Sequence, residues 1–329
     1  MKFLIAGLGS IGRRHLRNLL QLGERDILLY RTGRSSLPDD ELKGYPVETD
    51  LEAALDHQPD AVIVANPTSL HLEVAIPAAE RGCHLLLEKP ISHSMDSVDQ
   101  LQKAVQRGGG QVLVGFQFRF HPGLRKIKEL LSASTSPIGK PLSARAHWGE
   151  YLPDWHPWED YRQGYSARTD LGGGVILTLC HPLDYLRWLL GDVEALWAFA
   201  GRLGNLSLDV EDTAEIGLRF ADNTLGSVHL DYNQRPSAHT LEIVGSQGTI
   251  RWDNADGAVH LHHEKWHVFP VPPSFERNDL FLAEMRHFQA VVRGEEEPLC
   301  SLDDGLQALR LALAARQSAQ DCKLITLDH

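Results

Sequence analysis

Two stretches of this 329-residue chain carry residues whose types and spacing suit chemistry. The first is Gly7-Leu8-Gly9-Ser10-Ile11-Gly12, a GxGxxG run between a short apolar segment and a helical pattern. In that context the run reads as a phosphate cradle. Gly7 makes the turn, Gly9 lets the backbone approach a pyrophosphate, and Gly12 lets helix pack on strand. Ser10 and Ile11 open a helix whose N-terminus is partly positive, which suits an anion. The second stretch centres on His181, with Thr178 three residues before it and Asp184 three after it on one helical face. An imidazole can take and return a proton near neutral pH, and either neighbour could support it. Pro182 follows directly and removes a backbone donor.

Other residues extend both stretches. A dinucleotide site that takes NAD places a carboxylate about 20 residues beyond the glycines. Here that segment reads Tyr30-Arg31-Thr32-Gly33-Arg34-Ser35-Ser36. Arg31 and Arg34 suit a ribose 2′-phosphate, so NADP(H) is the expected cofactor and NAD the alternative. Asn66, Pro67 and Thr68 follow an apolar AVIVA run, and Glu88 and Lys89 follow HLLL. Both lie where ligands bind in open α/β sheets, beyond the carboxyl ends of strands. Between residues 151 and 170, aromatic and charged residues alternate without a period. Trp155, Tyr161, Tyr165 and Arg168 are expected to recognise substrate there, by stacking on rings and pairing with an anion. Arg119 is a further substrate candidate, with an interdomain ion pair as its alternative.

The elements that must position these groups follow from periodicity. Residues 2–6, 26–30, 61–65, 84–88 and 111–115 read as apolar strands, alternating with helices at 11–22, 51–57, 70–81 and 95–107. Asp50 should cap the second helix, and Pro77 should kink the third. This rhythm predicts a doubly wound parallel sheet over residues 1–119. Residues 120–329 predict an α+β domain. Its helices fall at 122–131, 174–190, 279–292 and 304–320, and its antiparallel strands at 141–150, 213–220, 225–232, 240–244, 249–252 and 258–263.

Composition narrows the function. With 32 basic and 44 acidic residues the net charge is −12, which argues against a nucleic-acid binder. No apolar run nears the roughly 20 residues of a membrane helix, so no membrane partner is expected. Cys83, Cys180, Cys300 and Cys322 form no CxxC pair, which fits a reduced, cytoplasmic setting. His260, His262, His263 and His267 invite a metal reading, but only His260 and His262 share a strand face and no third ligand is evident. No metal site is expected.

Taken in order, GxGxxG with His15, Asn66-Pro67-Thr68 with His71, Glu88-Lys89-Pro90, Phe118-Arg119-Phe120-His121-Pro122, Gly172-Gly173-Gly174 with His181 and Asp184, and Gly245-Ser246-Gln247-Gly248-Thr249-Ile250 resemble the Gfo/Idh/MocA family of oxidoreductases. The resemblance covers nearly the whole chain. It implies a Rossmann domain, then a C-terminal domain with a large, open, mostly antiparallel sheet. It implies a nicotinamide cofactor, to whose site His71 would belong, and a carbohydrate-like substrate (a sugar, nucleotide sugar or cyclitol). It implies a homodimer or homotetramer built through the C-terminal sheet. It makes Lys89 catalytic and His181 an acid/base. One position departs from the pattern: many dehydrogenases of the family place Asp or Asn four residues before the histidine, where this chain has Leu177. That departure keeps two other readings open, a dinucleotide-binding regulator without turnover and an oxidoreductase on a non-sugar substrate.

Overall fold

Each apolar run of the first third becomes a parallel strand in the computed structural model, which describes residues 1–33 and 37–327. The elements run β1 (Phe3–Ala6), α1 (Ser10–Gln21), β2 (Ile27–Tyr30), β3 (Val47–Glu48), α2 (Leu51–Asp56), β4 (Ala61–Val64), α3 (His71–Glu80), β5 (His84–Leu87), α4 (Val98–Gly108) and β6 (Val112–Val114). Their sheet has the order β3-β2-β1-β4-β5-β6, with every pair parallel. This is the 3-2-1-4-5-6 order of a dinucleotide-binding fold. β1 and β4 lie at its centre and are buried along their whole length, as apolar strands covered on both faces must be. Asp50 caps α2 by accepting from the Ala53 N–H at 2.9 Å, a contact worth about 1 kcal/mol. α3 carries Pro77 inside it and continues to Glu80.

The chain continues through α5 (Pro122–Ser132), β7 (Pro141–Gly149), α6 (Val175–Thr178), α7 (His181–Leu190), β8 (Val193–Gly201), β9 (Thr213–Phe220), β10 (Leu225–Asp231), β11 (Ala238–Gly245), β12 (Thr249–Asp253), β13 (Val259–His263), β14 (Lys265–Phe269), α8 (Arg277–Val292), α9 (Leu302–Asp321) and β15 (Ile325–Thr326). The second sheet has nine strands in the order β14-β13-β12-β11-β7-β10-β9-β8-β15. All its neighbours are antiparallel except β7 and β10, which run parallel. One face buries Ala146, Ala198, Ile216, Val228, Leu241 and Trp252. The register places Trp197, Glu215, His229, His147, Arg251 and Trp266 on the other.

Two compact units result: Met1–Gln117 with Arg277–Leu306, and Phe118–Glu276 with Gln307–His329. The sequence boundary after residue 119 put α8 in the second unit. It belongs to the first because it packs on α1, where Arg14 stacks 4.5 Å over the Phe281 ring and Asn278 donates to Asn18 at 2.9 Å. The helix expected over 174–190 is two helices. Pro182 cannot donate to the Thr178 carbonyl, so α6 ends there and α7 starts afresh at His181.

His121 shows how burial and capping combine. Its Nδ1 accepts from the Gly123 N–H at 3.0 Å and so caps α5. Burial pushes its pKa down from 6.5 to about 4. The native state therefore refuses a proton that the unfolded chain accepts. Stability is full above pH 6.5 and falls as pH drops from 6.5 to about 4, by about 3 kcal/mol from this residue. His121→Asn keeps a capping acceptor without the titration. Denaturant unfolding across that interval should show a smaller acid loss in the variant than in the parent.

Candidate functional site

In the first unit the glycine turn has the geometry its spacing predicts. Gly7 has φ +95°, and a Cβ there would stand 2.4 Å from the Asn66 nitrogen. At Gly12 a Cβ would meet the Gly7 carbonyl oxygen at 1.9 Å. At Gly9, by contrast, a Cβ would find no protein atom within 4 Å. No side chain caps α1, so the N–H groups around Ser10 and Ile11 face this open space. A pyrophosphate fits here, because bare backbone and a helix N-terminus meet where nothing else packs. Asn66 Oδ1 is buried without a partner, a second group that suits a polar ligand.

The 2′-end is less simple than the arginines suggested. Arg31 lies at the end of β2, and its Nη1 is 2.7 Å from Asp39 Oδ1. Arg34 lies outside the described residues. Sequence reading missed Arg13, which is buried and holds the turn to the segment before Asp39. Its Nε donates to the Leu8 carbonyl at 2.9 Å and its Nη1 to the Pro38 carbonyl at 2.6 Å. Arg13 looks like an ordinary polar position of an amphipathic helix, so only its burial reveals the role.

The loops after β4 and β5 are clamped together. His71 Nδ1 is 2.9 Å from the Pro90 carbonyl and Nε2 is 3.0 Å from the Asn66 carbonyl. Burial lowers its pKa to about 4, so it stays neutral at pH 7. Pro67 and buried Thr68 follow Asn66 within the clamped segment. Glu88 Oε1 lies 2.8 Å from His15 Nε2, and Oε2 accepts from the Lys89 N–H at 3.3 Å. Burial alone would raise the Glu88 pKa. The His15 hydrogen bond, then the charges of His15 and Lys89, more than offset this, so the carboxyl is held below its usual range and stays ionised.

Sequence reading also missed Glu284 on α8. It is wholly buried, and neither carboxyl oxygen has a hydrogen-bond partner. Burial, then the charge of Glu88, push its pKa well above 4.5. The two glutamates are thus driven apart, Glu88 ionised and Glu284 protonated.

In the second unit His181 opens α7 and is 1% exposed. Phe118 lies edge-on to it at 5.1 Å and Trp148 tilts against it at 5.4 Å. Asp184 forms a two-pronged pair with Arg119, Nε to Oδ2 at 3.1 Å and Nη2 to Oδ1 at 2.7 Å. Both side chains are 2% exposed and both belong to the second unit, so this is not an interdomain pair. Breaking a pair so buried costs about 3–5 kcal/mol. Thr178 is buried at the end of α6, and Tyr232, whose hydroxyl donates to the Ser166 carbonyl at 3.4 Å, packs edge-on to Trp155 at 5.6 Å. Leu177 is fully buried, as an apolar residue at the family's polar position would be.

The aromatic stretch is ordered as four short 3₁₀ turns, at Leu152–Asp154, Tyr161–Gln163, Tyr165–Ala167 and Thr169–Leu171. Tyr161 is pinned through its hydroxyl, which accepts from the Ser207 N–H at 3.1 Å. Tyr165 is half-buried, and its carbonyl crowds Gly173, where a Cβ would stand at 2.3 Å. Arg168 forks onto Asp170 at 2.9 and 2.5 Å.

Glu284 yields a signed expectation. A carboxyl whose folded pKa is raised costs stability as pH climbs above 4.5. Glu284→Gln removes that cost without removing volume. Thermal unfolding at pH 7 should occur no lower than in the parent, and any advantage should vanish near pH 4.5. A large loss at pH 7 would show instead that Glu284 is ionised.

Comparison with known proteins follows these lines. Residues 1–116 match the model described as oxidoreductase family, NAD-binding Rossmann fold, and residues 124–251 match the GFO/IDH/MocA C-terminal domain. Myo-inositol 2-dehydrogenase of Thermotoga maritima is 30% identical, over 100% of this chain and 99% of that one. Among solved structures, levoglucosan dehydrogenase in complex with NADH and levoglucosan superposes with TM-score 0.87 at 20% identity, covering 100% of both chains. The WlbA dehydrogenase of Bordetella pertussis in complex with NADH and UDP-GlcNAcA gives 0.84 at 24% identity, over 100% of this chain and 99% of that one. On the evidence of both domain models and a full-length relative, the chain belongs to the Gfo/Idh/MocA family of oxidoreductases.

Proposed function

We propose that this protein is a nicotinamide-dinucleotide-dependent dehydrogenase or reductase, moving a hydride between its cofactor and a carbinol or keto carbon of a sugar, nucleotide sugar or cyclitol. The observation that carries the reading is the open backbone at Gly9, bare on the side where Gly7 and Gly12 are packed against neighbouring backbone. Relatives described as acting on myo-inositol or binding levoglucosan and UDP-GlcNAcA support the substrate class.

The nicotinamide supplies the hydride path when bound. The chain's own residues do the rest. Gly9 and the first turn of α1 hold the phosphates. Asn66, Pro67, Thr68 and His71 line the nicotinamide end. Glu88, fixed by His15, orients the loop that carries Lys89. The Lys89 ammonium and the His181 imidazole move the proton at the reacting oxygen. Trp155, Tyr161, Tyr165, Arg168 and Thr178 select the substrate, while Arg119 and Asp184 act on it through the helix they fix. NADP(H) is preferred because the end of β2 offers Arg31 and no carboxylate. Asp39 supports a second reading: it is more than half exposed, pairs with Arg31, and could accept from a ribose 2′-OH instead.

The first unit is the dinucleotide-binding domain and the second the substrate-binding and oligomerisation domain. A homodimer or homotetramer would cover the open sheet face, where Trp197 and Phe199 are 44% and 65% exposed. Among the described residues no helix is long and apolar enough to cross a membrane. A reducing, cytoplasmic setting is supported by the four free cysteines.

Titration with NADPH and NADH, followed by energy transfer to the nicotinamide, tests the cofactor. NADPH should bind about tenfold tighter or better, and Arg31→Asp should reverse the order. Equal or tighter NADH binding moves 2′-recognition to Asp39. Gly9→Ala keeps a φ of −73° and clashes with nothing, so its melting temperature should hold while dinucleotide affinity drops about tenfold or more. Lys89→Met should keep binding and lose turnover. Binding by the parent without turnover on any polyol or sugar would favour a regulator.

A further inference from the structure

The open face of the nine-stranded sheet carries a side-chain cluster that the oxidoreductase reading does not use. Strands β7 and β10 pair in parallel with His147 opposite His229, and the two imidazole rings stack at 4.5 Å and 20°. Asp231 follows two residues along β10, on the same face. One ligand-capable atom from each of His147, His229 and Asp231 can be chosen so that all lie within 4.8 Å of one another. Gln234 joins them: its Oε1 is 2.5 Å from His147 Nε2. Gly149, at the end of β7, leaves room for the group, since a Cβ there would stand 2.2 Å from Gln234 Oε1 and 2.4 Å from Asp231 Oδ2.

Hydrogen-bond accounting shows what the cluster needs. Three imidazole nitrogens face three oxygens that only accept: His229 Nδ1 to Glu215 at 2.5 Å, His229 Nε2 to Asp231 at 2.9 Å, and His147 Nε2 to Gln234. Two neutral imidazoles bring two N–H groups between them. The third oxygen is met by one further positive centre, either a second proton on His229 or a cation at the point where His229 Nε2, Asp231 Oδ2, His147 and Gln234 Oε1 converge. Glu215 meanwhile holds the far nitrogen of His229, the carboxylate–histidine arrangement that orients a metal-bound imidazole.

We propose that His147, His229, Asp231 and Gln234 form a binding site for a divalent transition-metal cation of the zinc class on the open sheet face, with Glu215 orienting His229. Two imidazoles, a carboxylate and an amide oxygen make a four-donor set that suits zinc and disfavours magnesium or calcium, which prefer all-oxygen sites. The site lies apart from Gly9, Lys89 and His181 in sequence and role, so its occupancy and the oxidoreductase reading stand or fall separately.

The test uses the full chain, free of any histidine tag, stripped with chelator and titrated with zinc chloride by calorimetry, with elemental analysis of the dialysed protein. Saturable binding of one Zn²⁺ per chain is expected. His229→Gln and His147→Gln should each weaken it about tenfold or more, and Glu215→Gln by about 10–100-fold. His262→Gln, on β13, should leave it unchanged. Circular dichroism and a thermal melt measured on the same samples report that each variant is folded. The proposal is overturned by absence of saturable zinc binding, by binding that survives both His147→Gln and His229→Gln, or by binding that His262→Gln removes. The first result would mean that a proton on His229 supplies the further positive centre.

Discussion

A buried charge has to be solvated by the protein itself, and in the first unit the Glu88 carboxylate sets that requirement. Its two oxygens are met by His15 from α1 and by the backbone N–H of Lys89. Burial, reinforced by the same charge, keeps Glu284 on α8 neutral. One anion therefore ties the loop after β5 to the first helix and adds to the pressure that holds a third element's carboxyl protonated. His71 does comparable work, packed between the carbonyls of Asn66 and Pro90 with its one N–H donated to one of them. The position of Lys89 is a product of this polar packing more than of the strand that precedes it.

The parts of the fold that could be read from sequence are those set by local pattern. β1, β4 and β5 are continuous apolar runs, and a strand buried on both faces writes itself that way. β8 escaped notice although it is nine residues long. Its outward positions carry Trp197 and Phe199 rather than polar residues, so its alternation is blurred. β14 is exposed over most of its length, and β3 and β15 have two residues each, too short for any period. The break between α6 and α7 is signalled by Pro182, whose missing backbone donor marks where the helix restarts.

The candidate site divides in the same way. The glycine turn was legible because its constraints act within a dozen residues and with one nearby strand end. The partners of charged side chains were not. Arg119 meets Asp184, 65 residues away, and His147 meets His229 across the parallel ladder. Arg31 was read as available for a phosphate because nothing in its neighbourhood announced that Asp39 would fold back onto it. Glu284 resembles any helix-surface glutamate until burial is known. Sequence pattern states which residues are polar; tertiary packing decides which of those are spent on one another.

The single parallel pair in the second sheet bears on how the chain reaches this state. β8, β9 and β10 form one antiparallel meander, and β11 to β14 form another, each built from near neighbours in sequence. β7 precedes both in the chain and lies between them in the sheet, parallel to β10 on one side and antiparallel to β11 on the other. Neither meander can join the other until this earlier strand has been captured at its centre. Closing that long loop has an entropic cost that comes before its reward, so the nucleation of the sheet is non-local and slow. β7 is thus the seam of the sheet: until it docks, the edges of β10 and β11 stand open to any strand that arrives first.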